Sequence, residues 1–137
     1  MPPILLFVDT RAWYALLDRR DQNHAAATHF VQHVTAPFVT STYILDETLT
    51  LVKRHMGHAA ATRFGQRLWS EEVARLVRVS PEDEALAWNI FTRYADKGFS
   101  YTDCTSFALM ERLHLDSAFA FDAHFEQYGR FIRLPSA

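Results

Sequence analysis

Cysteine occurs once, at Cys104, so no internal disulfide can form, and no CxxC pair exists to hold zinc or run thiol redox chemistry. Glycine is nearly as scarce. Gly57, Gly65, Gly98 and Gly129 stand too far apart to build a loop that cradles a nucleoside triphosphate or a dinucleotide. The longest apolar run near the start, Ile4 to Val8, is far short of the roughly 20 residues a membrane helix needs. A basic region, a long apolar stretch and a small-residue cleavage site are all missing at the N-terminus, so the expected location is the cytoplasm. A basic surplus is missing too: 14 Lys and Arg face 16 Asp and Glu, for a net charge of −2. Proteins that grip nucleic acid non-specifically carry a positive excess, so any polyanion must be handled locally here. Twelve of those 14 cations are Arg, whose planar fork matches phosphate oxygens in pairs; most are expected on solvated helix faces.

What remains is an ordinary globular composition, 49% hydrophobic and 22% charged over 137 residues, consistent with a single domain over residues 1–137. Ile4 to Val8, closed by Asp9, reads as a strand buried on both faces. Helices are expected over Thr10–Arg20 and Asn23–Val34, capped by Asp9 and Asn23, and a second strand over Pro37–Ser41. Thr42 is placed as the cap of a long helix in which Ile44, Leu45, Leu49 and Val52 recur at helical spacing and which Gly57 stops. A helix over His58–Glu71 and a strand over Arg75–Val79 follow. Ser80-Pro81-Glu82-Asp83 is a helix start with a capping serine, proline at the first position and acids in the first turn, and Gly98 marks that helix's end. Ser100-Tyr101-Thr102-Asp103 opens another helix, reaching about His114, with Phe107, Met110 and Leu113 on its apolar face. Ala118–Phe121, ending at Asp122, and Phe131–Leu134 complete the strands. Strands alternate with helices throughout, which predicts an α/β three-layer sandwich on a mainly parallel sheet of four or five strands.

In open α/β sheets ligands bind beyond the carboxyl ends of the strands, where Asp9 and Asp122 are expected. Asp103 heads a helix and Glu47 lies within one; whether they join the same edge depends on topology. Carboxylates about 4 Å apart repel by roughly 4 kcal/mol at an effective dielectric near 20, so a cluster of them needs a cation or protons. Oxygen donors without a Cys or His cage suit a hard octahedral ion, Mg²⁺ or Mn²⁺. Each acid has a structural explanation as well. Asp9 can cap the first helix, Asp103 can complete a capping box with Ser100, Glu47 beside Asp46 can be a solvated helix residue, and Asp122 can bond its own backbone before a turn.

Phe7-Val8-Asp9-Thr10, Tyr43-Ile44-Leu45-Asp46-Glu47-Thr48, Tyr101-Thr102-Asp103 and Phe121-Asp122-Ala123-His124-Phe125, in that order and spacing, resemble the PIN domain. Within it they resemble the VapC-type toxins of bacterial and archaeal toxin-antitoxin pairs. The resemblance covers essentially the whole chain. It implies a metal-dependent ribonuclease whose acidic site, both metal-binding and catalytic, maps to Asp9, Glu47, Asp103 and Asp122, with Thr10 as the hydroxyl residue beside the first acid. It also implies Mg²⁺ or Mn²⁺ as cofactor, water attack on an RNA phosphodiester, a homodimer, and inhibition by an antitoxin whose C-terminal segment crosses the groove. One departure stands out. Many relatives carry a further acid two positions after the last Asp, where this chain has His124; with Phe125 and Tyr128 nearby, that histidine reads as structural and outside the core site.

Other constellations compete less well. His29 and His33 have the spacing of two ligands on one helical face, but Phe30 stands where a metalloprotease motif needs Glu, and His55-Met56-Gly57-His58 straddles a helix stop. An aspartyl-phosphate phosphatase needs a second acid two residues after Asp9, where Arg11 stands. Cys104 as a nucleophile has no specified histidine partner, and a small buried thiol is the commoner case. A PIN-like module that binds protein or RNA without cutting is the principal alternative. Of the helical aromatics Trp13, Tyr14, Trp69 and Trp88, most are expected in the core and some on a dimer or antitoxin surface.

Overall fold

The computed structural model describes residues 5–136. Its elements run β1 (Leu6–Val8), α1 (Thr10–Leu17), α2 (His24–His33), β2 (Phe38–Ser41), α3 (Thr42–Met56), α4 (His58–Trp69), β3 (Arg75–Val77), α5 (Pro81–Arg93), α6 (Tyr101–Arg112), β4 (Ser117–Phe119), α7 (His124–Tyr128) and β5 (Ile132–Leu134). The five strands form one parallel sheet in the order β3-β2-β1-β4-β5, flanked by helices as an α/β three-layer sandwich. Ile4, expected in the first strand, lies outside the described residues. The unbroken apolar run has its cause in β1, which is buried along its whole length at the centre of the sheet between β2 and β4. β3 is an edge strand, and its exposed Arg75 explains why the expected alternation fails there.

Several boundaries differ from the sequence expectation, each for a local reason. Ser41, not Thr42, caps α3: its Oγ accepts from Ile44 N at 3.1 Å, while Thr42 Oγ1 accepts from Val79 N at 3.3 Å and ties the helix start to the segment after β3. The first helix stops at Leu17 because Asp18 turns out of it, accepting from Tyr14 Oη at 2.5 Å and from Arg20 N at 2.9 Å. Asn23 precedes α2 without a side-chain capping bond, and its own N–H is taken by Asp21. The fourth helix ends at Trp69, where Glu71 adopts a left-handed φ of 58° and Glu72 N returns to Arg67 O at 3.0 Å. The fifth ends at Arg93 rather than near Gly98, because Tyr94 leaves the helical conformation to pack against Phe99 and Tyr128.

The capping boxes of α5 and α6 form as read, with Ser80–Asp83 and Ser100–Asp103 each satisfying two backbone N–H groups. The expectation of one apolar face on α6 does not hold: every residue from Asp103 to Met110 is buried, so this helix runs through the interior. Phe107 lies against Phe99, Phe125 and Tyr128, stacking on Tyr128 at 4.6 Å. Fully burying an aromatic side chain of this size stabilises by about 1.5–3 kcal/mol. The far end of α6 is fixed by Arg112, which donates to both carboxylate oxygens of buried Asp83 at 2.7 and 2.9 Å. Burial pushes the Asp83 carboxyl up, but the Arg112 and Ser80 bonds outweigh it and hold the group below its usual range.

Replacing Arg112 by Met should therefore destabilise the protein by about 2–3 kcal/mol at pH 7, at or below the range for a fully buried pair because Arg112 is partly exposed. A depressed carboxylate adds stability above its unfolded pKa and loses it as pH falls through its folded pKa. Urea denaturation at pH 7 and in acid should accordingly show the Arg112→Met deficit shrinking as the solution is acidified.

Candidate functional site

The chain leaves central β1 for β2 and β3 on one side, then crosses back to β4 and β5 on the other. The crevice beyond the ends of β1 and β4 is thus the topological switch point at which open α/β sheets place ligands. Asp9 follows β1 directly, and its N–H donates to Phe119 O of β4 at 3.0 Å. Although Asp9 occupies the cap position of α1, its carboxylate makes no capping bond; its backbone carbonyl starts the helix instead. Asp122 was expected to end a strand, but β4 stops at Phe119 and Asp122 lies three residues further on. There its Oδ1 accepts from His124 N at 3.0 Å and opens α7, the backbone bond anticipated for it. Asp103 projects from the first turn of α6, with Oδ2 engaged in the capping box and Oδ1 outside it. Glu47 comes from the second turn of α3, half-buried beside exposed Asp46.

These four acids line one open cleft of about 470 Å³. Donor atoms of Asp103, Asp122 and His124 lie within 4.8 Å of one another, which among the described residues is the one group of three or more metal-type ligands so close together. Asp9 is almost inaccessible. Burial, and then repulsion from Asp122, Asp103 and more weakly Glu47, holds its carboxyl well above the usual carboxylate range, with the Thr10 amide offsetting part of the effect. Burial also raises Asp103, helped by Asp122 and opposed by the Ser100 amide and His124. Thr10 lines the cleft as well, and its Oγ1 is buried without a hydrogen-bond partner. Hard oxygen donors, mutual repulsion and an unpaired buried hydroxyl suit a divalent cation.

Sequence reasoning missed part of the cleft. Arg11 and Arg54 stand at its mouth, both exposed. Arg54 had a usable signal, since it lies seven residues after Glu47 and so on the same face of α3. The larger miss is His124, set aside as structural: its Nδ1 is 2.7 Å from Asp103 Oδ2 and 3.6 Å from Asp122 Oδ1. The rival sites fare differently. His29 and His33 sit on an exposed face of α2 with ring centroids 4.2 Å apart, away from the cleft. Burial, assisted by Asp103, pushes the Cys104 thiol up to about 11, which leaves it protonated at neutral pH and unsuited to nucleophilic attack.

A model of the PIN domain matches residues 6–131. The chain is 34% identical over 125 residues to VapC20 of Mycobacterium tuberculosis, a 23S rRNA-specific endonuclease, covering 91% of this chain and 95% of that protein. The crystal structure of VapC20, described as a sarcin-ricin loop cleaving toxin, aligns with a TM-score of 0.86 at 33% identity over 91% of this chain and 95% of that one. A VapC ribonuclease of Archaeoglobus fulgidus is 32% identical over 124 residues, 86% of this chain and 77% of that protein. The structure of VapBC-1 from nontypeable Haemophilus influenzae shares the fold, with a TM-score of 0.67 at 12% identity over 95% of this chain and 96% of that one.

The raised carboxyl of Asp9 has a measurable consequence. A group whose folded pKa exceeds its unfolded value lowers stability when ionised, fully so above the folded pKa and not at all below the unfolded one. In chelator at pH 7, Asp9→Asn should melt higher than the wild type, by about 3–6 °C for each kcal/mol of repulsion relieved. Melting curves recorded toward pH 3 should show that advantage fading.

Proposed function

We propose, on the premise that this chain belongs to the PIN-domain family and within it to the VapC-type ribonucleases, that the acidic cleft cuts RNA with the aid of a divalent ion, Mg²⁺ or Mn²⁺. The observation that carries this reading is a buried carboxylate, Asp9, repelled by three others across the switch point of the sheet. Asp9, Asp103 and Asp122 hold the ion, directly or through water, and Glu47 completes the shell or orients the attacking water. Such an ion, when bound, activates water for in-line attack on a phosphodiester and stabilises charge on the leaving oxygen. Thr10 lends its hydroxyl beside Asp9. Arg11 and Arg54 hold backbone phosphates flanking the scissile one, where a bidentate guanidinium fits phosphate geometry. No side chain needs to form a covalent bond to RNA.

The partners follow from the same membership. The substrate is RNA, and ribosomal RNA is the first to test because VapC20 is specific for 23S rRNA. Its use as substrate fits a cytoplasmic location, and no described helix is long and apolar enough to cross a membrane. An antitoxin covers the cleft and holds the enzyme silent, a reading supported by the shared fold of VapBC-1. Two copies pair through α5. Trp88 and Phe91, two of the five large hydrophobic side chains exposed among the described residues, lie one turn apart there on one face. Trp88 stacks on Phe91 at 6.0 Å, and the aromatic strip continues through Tyr101 to Tyr43 at the starts of α6 and α3. A patch of that kind on a water-soluble surface marks an interface.

Incubated with ribosomal RNA and Mg²⁺ or Mn²⁺, the wild type should cut, and chelator should silence it. Asp9→Asn and Asp103→Asn should each lower the rate by about 10³-fold while circular dichroism stays native. RNA that is bound tightly but never cut under either ion would favour the non-catalytic module instead. Light scattering should give twice the 15.8 kDa chain mass for the wild type, and Trp88→Glu should return it to the single-chain value.

A further inference from the structure

We infer that His124 supplies a nitrogen ligand, through Nδ1, to the ion held by Asp103 and Asp122, and thereby tilts the cleft away from Mg²⁺ toward first-row transition ions such as Mn²⁺. This rests on the reading of the cleft as a divalent-ion site. Three features single out His124. First, Nδ1 is buried, and its nearest polar neighbour is Asp103 Oδ2 at 2.7 Å. A ring nitrogen that close to a carboxylate oxygen needs a proton or a cation between the two. Second, the spacing suits shared coordination. Ligands at the usual 2.0–2.1 Å from an octahedral ion lie about 3 Å from their neighbours, and Nδ1 stands 2.7 and 3.6 Å from one oxygen of each carboxylate, Asp103 Oδ2 and Asp122 Oδ1, each of which also accepts a backbone N–H.

Third, the ring is held in place. The backbone N–H of His124 donates to Asp122 Oδ1, Phe99 meets the imidazole edge-on at 5.7 Å, and Nε2 faces Gly98, leaving Nδ1 as the nitrogen toward the acids. An imidazole held this way presents Nδ1 to whatever occupies the space among the acids. The chemical consequence follows from donor type. Mg²⁺ takes oxygen ligands and keeps its waters, whereas transition ions accept imidazole nitrogen as well.

Pulsed electron paramagnetic resonance on the Mn²⁺-loaded protein tests this directly, because a coordinated imidazole imprints nitrogen hyperfine modulation on the signal. The wild type should show that modulation; His124→Ala and His124→Asp should lack it while still binding Mn²⁺. In competition titrations the preference for Mn²⁺ over Mg²⁺ should fall about tenfold in His124→Asp, which keeps an oxygen donor at the position. Mn²⁺ bound in the cleft of the wild type without nitrogen modulation, or modulation that survives in both variants, would overturn the inference and leave the cleft reading intact. Cleft binding is identified by its loss in Asp103→Asn. If the wild type binds no Mn²⁺ sensitive to that substitution, the cleft reading fails and His124 falls with it.

Discussion

Repulsion among carboxylates at the end of a parallel sheet is the constraint around which this molecule is organised. Two such charges about 4 Å apart oppose each other by roughly 4 kcal/mol at an effective dielectric near 20, and Asp9 additionally loses hydration by burial. A domain of ordinary stability has only about 5–15 kcal/mol in hand, so repulsion on that scale counts against it until a proton or a cation relieves it. The acids are nevertheless held where they are by bonds that leave coordinating capacity over. Asp9 begins α1 through its backbone carbonyl, Asp103 closes its capping box with one oxygen, and Asp122 turns the chain with one oxygen. Capping and turn formation thus position the carboxylates without fully satisfying them. For Asp103 and Asp122 the structural explanation offered at the level of sequence holds, and it leaves room for the functional one.

The compensating stability lies behind the cleft. Helix α6 carries Asp103 at its start and is buried on all sides for the next two turns, with Phe107 at the centre of a group formed by Phe99, Phe125 and Tyr128. Phe125 belongs to α7, the helix opened by Asp122, and it also meets Phe7 of β1 two residues before Asp9. Three of the four acids are therefore anchored to a single aromatic cluster, and the Arg112–Asp83 pair fixes the other end of α6 against α5. A close-packed interior of this kind deforms little, so the carboxylates cannot relax apart to relieve their repulsion. Glu47 differs: it stands on α3, partly exposed, and couples least strongly to Asp9.

How much of this could be read from the chain depended on the range of the interaction responsible. Capping boxes at Ser80 and Ser100 are local, and both were legible to the residue. The buried first strand announced itself as an apolar run closed by an acid. The order of the strands is long-range; strand ends alone put Asp9 and Asp122 at one edge, and the motif resemblance anticipated that Asp103 and Glu47 join them, which spacing could not. The exit of Tyr94 from α5 is driven by rings far along the sequence, so Gly98 was a false stop. The interior position of α6 was hidden because Thr105 and Ser106 look polar in sequence yet are fully buried. The place of His124 beside the acids was hidden for a related reason. Its aromatic neighbours do pack against it, as a structural histidine's would, but that packing turns its second nitrogen toward the acids.

The charge balance posed a difficulty that the cleft resolves. A chain of net charge −2 that concentrates four acids at one site should repel a polyanion, and its 14 cations do not outnumber its 16 acids. The resolution is the pairing of signs along a single helix. Glu47 and Arg54 lie seven residues apart on α3, about 10 Å along its axis, so one element presents a carboxylate to the acidic centre and a guanidinium at the mouth. Arg11, two residues after Asp9 on α1, repeats the arrangement. Without a cation among the acids, the centre rejects phosphate while the rim attracts it. On the proposed reading, a bound cation turns the centre attractive, and the arginines are placed to fix where the backbone lies. Binding of RNA and binding of the ion are then thermodynamically linked, each strengthening the other, and a protein without a basic surplus can still engage a nucleic acid at one place.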